Sequence, residues 1–467
     1  MKRRSLILLT LLMGVVLTLH GQAKYVFYFI GDGMGVNQVA GTELYMGELQ
    51  DTAVSTVPLR FAGFPYAGLA VTHSATHSIT DSAAGGTALS TGTKTYNGAL
   101  SVDAHGRPLT TVAELAKRAG RRVGIATSVS IDHATPAAFY AHRPKRSMYY
   151  EVACDLPVAG FDFYAGAGFL KPETTYDKQP APSIYPLFEA AGYTLARGLA
   201  EYRAKASAAK KLILMQEEGR AADCLPYAID RTEGDLTLED ITRTAVDFLT
   251  REPGKGFFLM VEGGKIDWAC HDNDGATALR EVQDLDQAIA VAYEFYKKHP
   301  KETLIVVTAD HETGGLALGN GGYTLNLKAL SGQRCSAGEL SKLMNELRRE
   351  EDNEVSWEEM KEFLSQHTGL WTRYPLTWKQ ERALHDEFEN TFVKNQGDRA
   401  ESLYARSEPL AARAKEVLNQ VAGLAWGTND HSAAYVPVFA IGAGAHLFQG
   451  RMDNTDIPRR IMRAAGY

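Results

Sequence analysis

Several separated stretches of this 467-residue chain carry residue types that bind cations or move protons. The apolar run Tyr25-Val26-Phe27-Tyr28-Phe29-Ile30 ends in Gly31-Asp32-Gly33-Met34-Gly35. Gly256 to Val261 ends in Glu262, with Asp267 and His271 close behind. Thr303 to Ala309 ends in Asp310-His311-Glu312, and Asn429-Asp430-His431 lies near the end of the chain. Asp267 and His271 are four residues apart, so one helical turn puts both on one face, able to share a metal. Buried carboxylates need counter-charge, and several together call for cations. Mixed oxygen and imidazole ligands suit zinc, and an all-oxygen subset suits magnesium. Two metals about 4 Å apart can clamp the attacking and leaving oxygens of an in-line phosphoryl displacement.

A nucleophile for such a displacement stands in Thr80-Asp81-Ser82-Ala83-Ala84-Gly85-Gly86-Thr87-Ala88. The small residues after Ser82 read as a helix opening, where unpaired N–H groups and the dipole favour an anion. Capping is the other common use of Asp and Ser at such a place. Farther on come His133-Ala134-Thr135-Pro136 and a basic stretch, His142-Arg143-Pro144-Lys145-Arg146. An inward-pointing arginine there suits bidentate grip of a phosphate.

The elements that must hold these residues alternate between buried-strand and helix patterns. Strand patterns, several of them continuous apolar runs, recur at 25–30, 122–127, 211–215, 256–261, 303–309 and 435–441, as in a parallel sheet covered on both faces. Helix patterns lie at 111–119, 236–250 and 276–296, with a terminal helix from about Ile457. The pattern is that of an α/β fold with a doubly wound, mostly parallel sheet and helices on both faces. In such sheets the site lies at the carboxyl ends of the strands, where Asp32, Glu262 and Asp310 stand. From about Ser336 to Leu418 the chain turns charged and helical in period, with Leu340, Leu343, Met344 and Leu347 in helical spacing. Ser356-Trp357-Glu358-Glu359 and Thr377-Trp378-Lys379-Gln380 have capping-box form.

Residues 1–23 read as a secretory signal: Lys2-Arg3-Arg4, an apolar stretch from Leu6 to Leu19, then small Gly21 and Ala23. That divides the chain into a leader at 1–23, an α/β core at 24–320 and 425–467, and a helical insertion at 321–424. No later stretch is apolar enough to span a bilayer, so the expectation is a periplasmic or secreted protein with no membrane span once the signal is removed. The net charge of −7 gives no reason to expect a nucleic-acid-binding domain. In an oxidising compartment Cys154, Cys224, Cys270 and Cys335 can form one or two disulfides, and the sequence does not choose among the three pairings.

These motifs, in this order and at these spacings, resemble the alkaline phosphatase family over nearly all of the chain after the leader except the helical insertion. The resemblance rests on Gly31-Asp32-Gly33-Met34-Gly35, Thr80-Asp81-Ser82-Ala83-Ala84, His133-Ala134-Thr135-Pro136-Ala137 with Arg146, Val261-Glu262-Gly263 through Asp267 to His271, Thr308-Ala309-Asp310-His311, and Asn429-Asp430-His431-Ser432. It implies a phosphomonoesterase acting on small phosphate monoesters and releasing inorganic phosphate through a phosphoserine on Ser82, with two Zn2+ and one Mg2+, in a homodimer. Asp267, His271 and His431 would hold the first zinc. Asp32, Asp310 and His311 would hold the second, with Ser82 as a further ligand. Glu262, Thr135 and the other oxygen of Asp32 would hold the third metal, and Arg146 would bind two oxygens of the transferring phosphoryl group.

The chain departs from some relatives of the family. His133 stands where some have aspartate, which opens the third site to Zn2+ or Co2+ if the imidazole ligates. Trp268 stands where some have lysine or histidine. The insertion replaces a mixed, strand-containing crown with a helical one. The competing readings are a phosphodiesterase or sulfatase of the same superfamily, and a non-catalytic phosphate- or metal-binding protein. Sulfatases use a modified residue in a motif absent here, and a binding protein has no need of Ser82.

Overall fold

The structure, a computed structural model, describes residues 22–50, 55–252, 254–350, 354–394, 400–401 and 406–467. Residues 1–21 of the expected leader lie outside that set. Ala23, at the expected cut, is buried, and its N–H donates to the Ala464 carbonyl 2.9 Å away.

Strands form where the apolar runs stood: β1 (Tyr25–Gly31), β3 (Arg122–Thr127), β6 (Lys211–Met215), β7 (Phe257–Gly263), β8 (Thr303–Thr308) and β15 (Val436–Gly442). Among the described residues ten strands make one sheet, the others being β2 (Tyr66–Val71), β4 (Phe163–Gly166), β5 (Tyr193–Arg197) and β16 (Gly450–Asp453). Their order is β16-β2-β15-β8-β1-β7-β3-β4-β6-β5. All described pairings in this sheet are parallel except those of β15 with β2 and β8. Because β15 runs the other way, its beginning meets the carboxyl ends of its neighbours, and His431, just before it, reaches the same edge as Asp32 and Asp310. Helices cover both faces; the longest, Gly275–Lys298, packs on β1, β7 and β8. An apolar cluster running through the sheet forms its core, with Phe27, Phe29, Val261 and Val307 fully buried.

The segment after β8 builds a second apolar cluster from Leu340, Met344, Met360, Leu364, Leu384 and Val417, packed on Ala276 and Leu279 of the long helix. Its helices are Ala337–Glu350, Trp357–Thr368, Trp378–Phe388 and Pro409–Ala422. Both expected capping boxes form, at Ser356 with Glu359 and at Thr377 with Gln380. The segment is not wholly helical: Ala400–Glu401 pairs antiparallel with Arg406–Ser407, a ladder too short to leave a period-two pattern in the sequence. At its root Ala317–Leu318 pairs antiparallel with Leu424–Ala425. The Asp274 carboxylate ties it to the core, accepting from Gln333 Nε2 at 2.9 and 3.0 Å and from Ala337 N at 2.9 Å. The four cysteines carry free thiols, so neither possible disulfide is formed. Among the described residues no helix is long and apolar enough to cross a membrane.

Candidate metal centre

Register brings the carboxylates together. Ile30 pairs with Glu262 on one side and Thr308 on the other, so Asp32 and Asp310, each two residues farther on, emerge side by side. Thr127 pairs with Glu262 from the far side of β7, and its hydroxyl donates a short hydrogen bond to Glu262 Oε2. The chain after β7 turns into the helix Lys265–His271, which places Asp267 Oδ1 3.3 Å from His271 Nε2. The chain after β2 leads to the helix Ser82–Thr91, capped by Asp81, whose Oδ1 accepts from Ala84 N at 3.0 Å. Ser82 is the first residue of that helix, fully buried, with Oγ 3.3 Å from His311 Nε2. Gly85 lets this helix lie against Asp310, for a Cβ there would stand 3.1 Å from Asp310 Cβ.

Among the described residues three groups of ligand atoms result, each within 4.8 Å: Asp267 with His311 and His431, Asp32 with Asp310 and His311, and Asp32 with His133 and Glu262. His311 Nε2 lies 3.3 Å from Asp310 Oδ2 and 3.5 Å from Asp32 Oδ1. Thr135 Oγ1 donates to Asp32 Oδ2 at 3.1 Å. His271 Nδ1 is 2.5 Å from the Asn429 carbonyl oxygen and His431 Nδ1 is 2.9 Å from that of Thr80. A carbonyl only accepts, so each Nδ1 carries the hydrogen. The two Nε2 atoms then face each other at 3.1 Å, with Asp267 Oδ1 3.3 and 3.7 Å away. With no proton between them, lone pairs so placed repel, and a shared cation turns that repulsion into coordination. The buried oxygens Asp32 Oδ1, Asp267 Oδ2 and Asp310 Oδ2 accept no hydrogen bond, which costs stability unless a cation binds them. The donor set fits metal ions.

The electrostatics agree. Burial, and after it the other carboxylates, push Asp32 and Asp310 well above the usual carboxylate range. Burial pushes Glu262 up to about 7. Burial opposes ionisation of Asp267 as well, yet His271, His431 and His311 outweigh it and draw its carboxyl below the usual range. Burial, then the nearby guanidinium of Arg146, lowers His133 to about 3, so this imidazole is neutral and able to coordinate.

Of the basic stretch, Arg143 is taken by Asp155 at 2.5 Å and Lys145 lies outside on Tyr176. Arg146 turns inward, its Nη1 3.3 Å from Asp81 Oδ2 and its Nη2 3.2 Å from His133 Nε2. Trp268 sits almost buried, edge-on to His133 with ring centroids 5.9 Å apart. Lys265 Nζ lies 4.9 Å from the Trp268 ring centroid. All twelve residues singled out in the sequence thus gather around one edge of the sheet. Sequence reasoning did not single out Thr127 or Thr313. The signal available was period two: Thr313 follows His311 by two positions.

A serine at a helix N-terminus, ringed by carboxylates and imidazoles at the carboxyl edge of an α/β sheet, defines a metal-dependent hydrolase of the phosphoryl-transfer type. Residues 23–160 and 204–467 match the family model described as alkaline phosphatase. The chain belongs to that family and is a metal-dependent phosphoric monoester hydrolase. It is 32% identical over 445 residues to alkaline phosphatase 4 of Bacillus subtilis (strain 168), spanning 93% of this chain and 87% of that one. It is similar to the crystal structure of the cold-active alkaline phosphatase of the psychrophile Shewanella sp., with TM-score 0.77, 30% identity and coverage of 94% and 99%. It is also similar to a histidine-to-glutamate mutant of TAB5 alkaline phosphatase with Mg bound in the M3 site, with TM-score 0.66, 26% identity and coverage of 96% and 99%.

Proposed function

We propose that this phosphomonoesterase works by a double displacement on Ser82. Ser82 Oγ attacks phosphorus, the bond to the leaving alkoxide breaks, and the alcohol departs as a phosphoserine forms. Water then attacks the same phosphorus, the bond to Ser82 breaks, and inorganic phosphate leaves. Asp267, His271 and His431 hold one zinc ion; Asp32, Asp310 and His311 hold a second beside Ser82. Asp32, Thr135 and Glu262 hold a third ion, magnesium, with His133 near enough to admit zinc or cobalt instead; the TAB5 mutant with Mg in its M3 site supports a third position. Bound there, the ions would lower the pKa of the serine hydroxyl and of the attacking water and neutralise the leaving oxygen. The guanidinium of Arg146, steered by Asp81, holds two equatorial oxygens of the phosphoryl group as charge spreads onto them.

The observation that carries this reading is the facing pair of Nε2 atoms on His271 and His431, within one buried cluster with Asp267, His311 and Ser82. The test is hydrolysis of p-nitrophenyl phosphate, its bis-ester and its sulfate analogue, before and after chelation and with zinc restored. Selective loss and recovery of monoester hydrolysis is the expected result; activity indifferent to chelation, or preference for the diester or sulfate, would reject it. We also propose export to the periplasm or medium, on the strength of residues 1–23. A homodimer follows from the family resemblance, and light scattering tests it. The segment at 321–424 leaves from the carboxyl edge of the sheet, which suits a role in limiting substrate size or joining the partner subunit.

A further inference from the structure

Thr313 is fully buried, and its backbone is fixed on both sides. Its N–H donates to the Gly33 carbonyl at 3.1 Å and its carbonyl accepts from Gln38 Nε2 at 2.9 Å. It lies opposite His431 in the short antiparallel ladder of Glu312–Thr313 with His431–Ser432. Glu312 clamps that ladder, accepting from Gln38 Nε2 at 2.8 Å and from the Ser432 hydroxyl. The side chain therefore has one place to go, and its hydroxyl touches two groups there. Oγ1 is 2.5 Å from Asp267 Oδ1 and 3.2 Å from His311 Nδ1.

A hydroxyl has one hydrogen to give, and an ionised carboxylate can only accept. The hydrogen of Thr313 therefore goes to Asp267, and toward His311 the same oxygen must be the acceptor. That requires the hydrogen of His311 to sit on Nδ1 and directs the Nε2 lone pair at the cluster of Ser82 Oγ, Asp310 Oδ2 and Asp32 Oδ1, 3.3 to 3.5 Å away. His271 and His431 have their tautomers set by backbone carbonyls; His311 has its tautomer set by a side chain that also bonds a residue of the neighbouring metal position.

We infer that Thr313 is a positioning residue whose hydroxyl presets the tautomer of His311 and links the two proposed zinc positions through one oxygen. The inference rests on the assignment of Asp267 and His311 to those two positions. Side chains that orient a metal-bound histidine or carboxylate typically contribute about 10- to 100-fold in metal affinity. Here a single hydroxyl orients one ligand of each position, so its loss weakens both.

The experiment uses the full-length protein and zinc alone, in competition with a chromophoric chelator, on wild type, Thr313→Ser and Thr313→Val. The side-chain nitrogens of His311 are read in parallel by 15N NMR in the metal-free and zinc-loaded forms. The expected result is that Thr313→Val loses about 10-fold or more in affinity for each of the two tightest zinc ions and shows His311 in mixed tautomers, whereas Thr313→Ser stays close to wild type in both readouts. If Thr313→Val does not fold, Thr313→Ala removes the same hydroxyl with less bulk and carries the same expectation. Unchanged zinc affinity with His311 still protonated on Nδ1 in the Val or Ala variant would overturn the inference. So would Thr313→Ser as damaged as Thr313→Val, which would assign the effect to the methyl group. A wild-type protein that takes up no zinc would overturn the metal assignment itself, and this inference with it.

Discussion

Asp81 and Arg146 meet at 3.3 Å, Oδ2 to Nη1, while the other oxygen of the same carboxylate accepts from Ala84 N and Gly98 N at 3.0 Å each. One side chain thus caps the helix that begins at Ser82 and aims the guanidinium proposed to hold the substrate. The serine and the arginine are located relative to each other through a single rigid group, not through two independent loops.

Arg146→Ala is expected to lower kcat/KM and weaken inhibition by inorganic phosphate while zinc content stays the same. Loss of a bidentate, charge-assisted contact costs on the order of 2–3 kcal/mol, roughly 30- to 150-fold. Steady-state kinetics with metal analysis checks it; a fall in zinc content instead would make Arg146 a structural residue.

Ser82→Ala is expected to reduce turnover by roughly a thousandfold or more with little change in metal content. In the wild type, rapid acid quench during turnover should trap phosphate on Ser82. A chiral phosphate monoester should give net retention, since two in-line displacements invert twice. Net inversion would exclude the covalent path.

The proposed third metal position provides a sharper contrast. His133 lies between the carboxylates of Asp32 and Glu262 and the guanidinium of Arg146, and Trp268 adds no charge of its own. Oxygen ligands favour magnesium and an imidazole favours zinc or cobalt. The double change His133→Asp with Trp268→Lys should therefore increase activation by magnesium relative to zinc and cobalt, and tighten phosphate inhibition. An identical metal profile and identical phosphate inhibition would sink this.

Glu281 yields a pH prediction away from the site. Only 4% exposed, its carboxyl is pushed up to about 7, chiefly by burial and then by Asp284, against the opposing pull of Arg231 and the Ala228 N–H. A carboxyl raised in the fold favours the folded state when protonated. That contribution is complete below the unfolded pKa near 4.5 and lost as pH rises through about 7. Glu281→Gln, which can still accept from Ala228 N, should stabilise the metal-free protein by about 1–3 kcal/mol at pH 8.5 and by little near pH 4.5. Thermal unfolding at both values checks it, and a difference independent of pH would contradict it.

The parts of this protein that were legible in the sequence are those where burial on two faces leaves only apolar residues. β1, β7 and β8 announce themselves as unbroken runs, and the polar residue that ends each run is the one presented at the sheet edge. β2 (Tyr66-Ala67-Gly68-Leu69-Ala70-Val71) does not, since it is short, rich in small residues and partly exposed. The four-residue β4 and β16 carry too little pattern to stand out. At the site, ligand-type residues are rare enough in apolar surroundings to be noticed. A threonine is not: Thr127 and Thr313 look like ordinary β-formers, and only register and distance reveal what their hydroxyls touch. The free state of Cys154, Cys224, Cys270 and Cys335 is likewise a matter of three-dimensional placement, which spacing along the chain does not carry.

The two-residue ladder in which Ala317 faces Ala425 and Leu318 faces Leu424 has an evolutionary consequence. It fastens the two ends of a long excursion to each other before either reaches the proposed metal ligands. Closing a flexible loop depends on its length only logarithmically, about 0.6 kcal/mol for each doubling. Lengthening or shortening the excursion beyond this clasp therefore leaves His311 and His431 on the same footing. Selection can act on the outer segment with little penalty to the chemistry, and descendants of one enzyme can diverge in what they admit or adhere to while inheriting the same reaction.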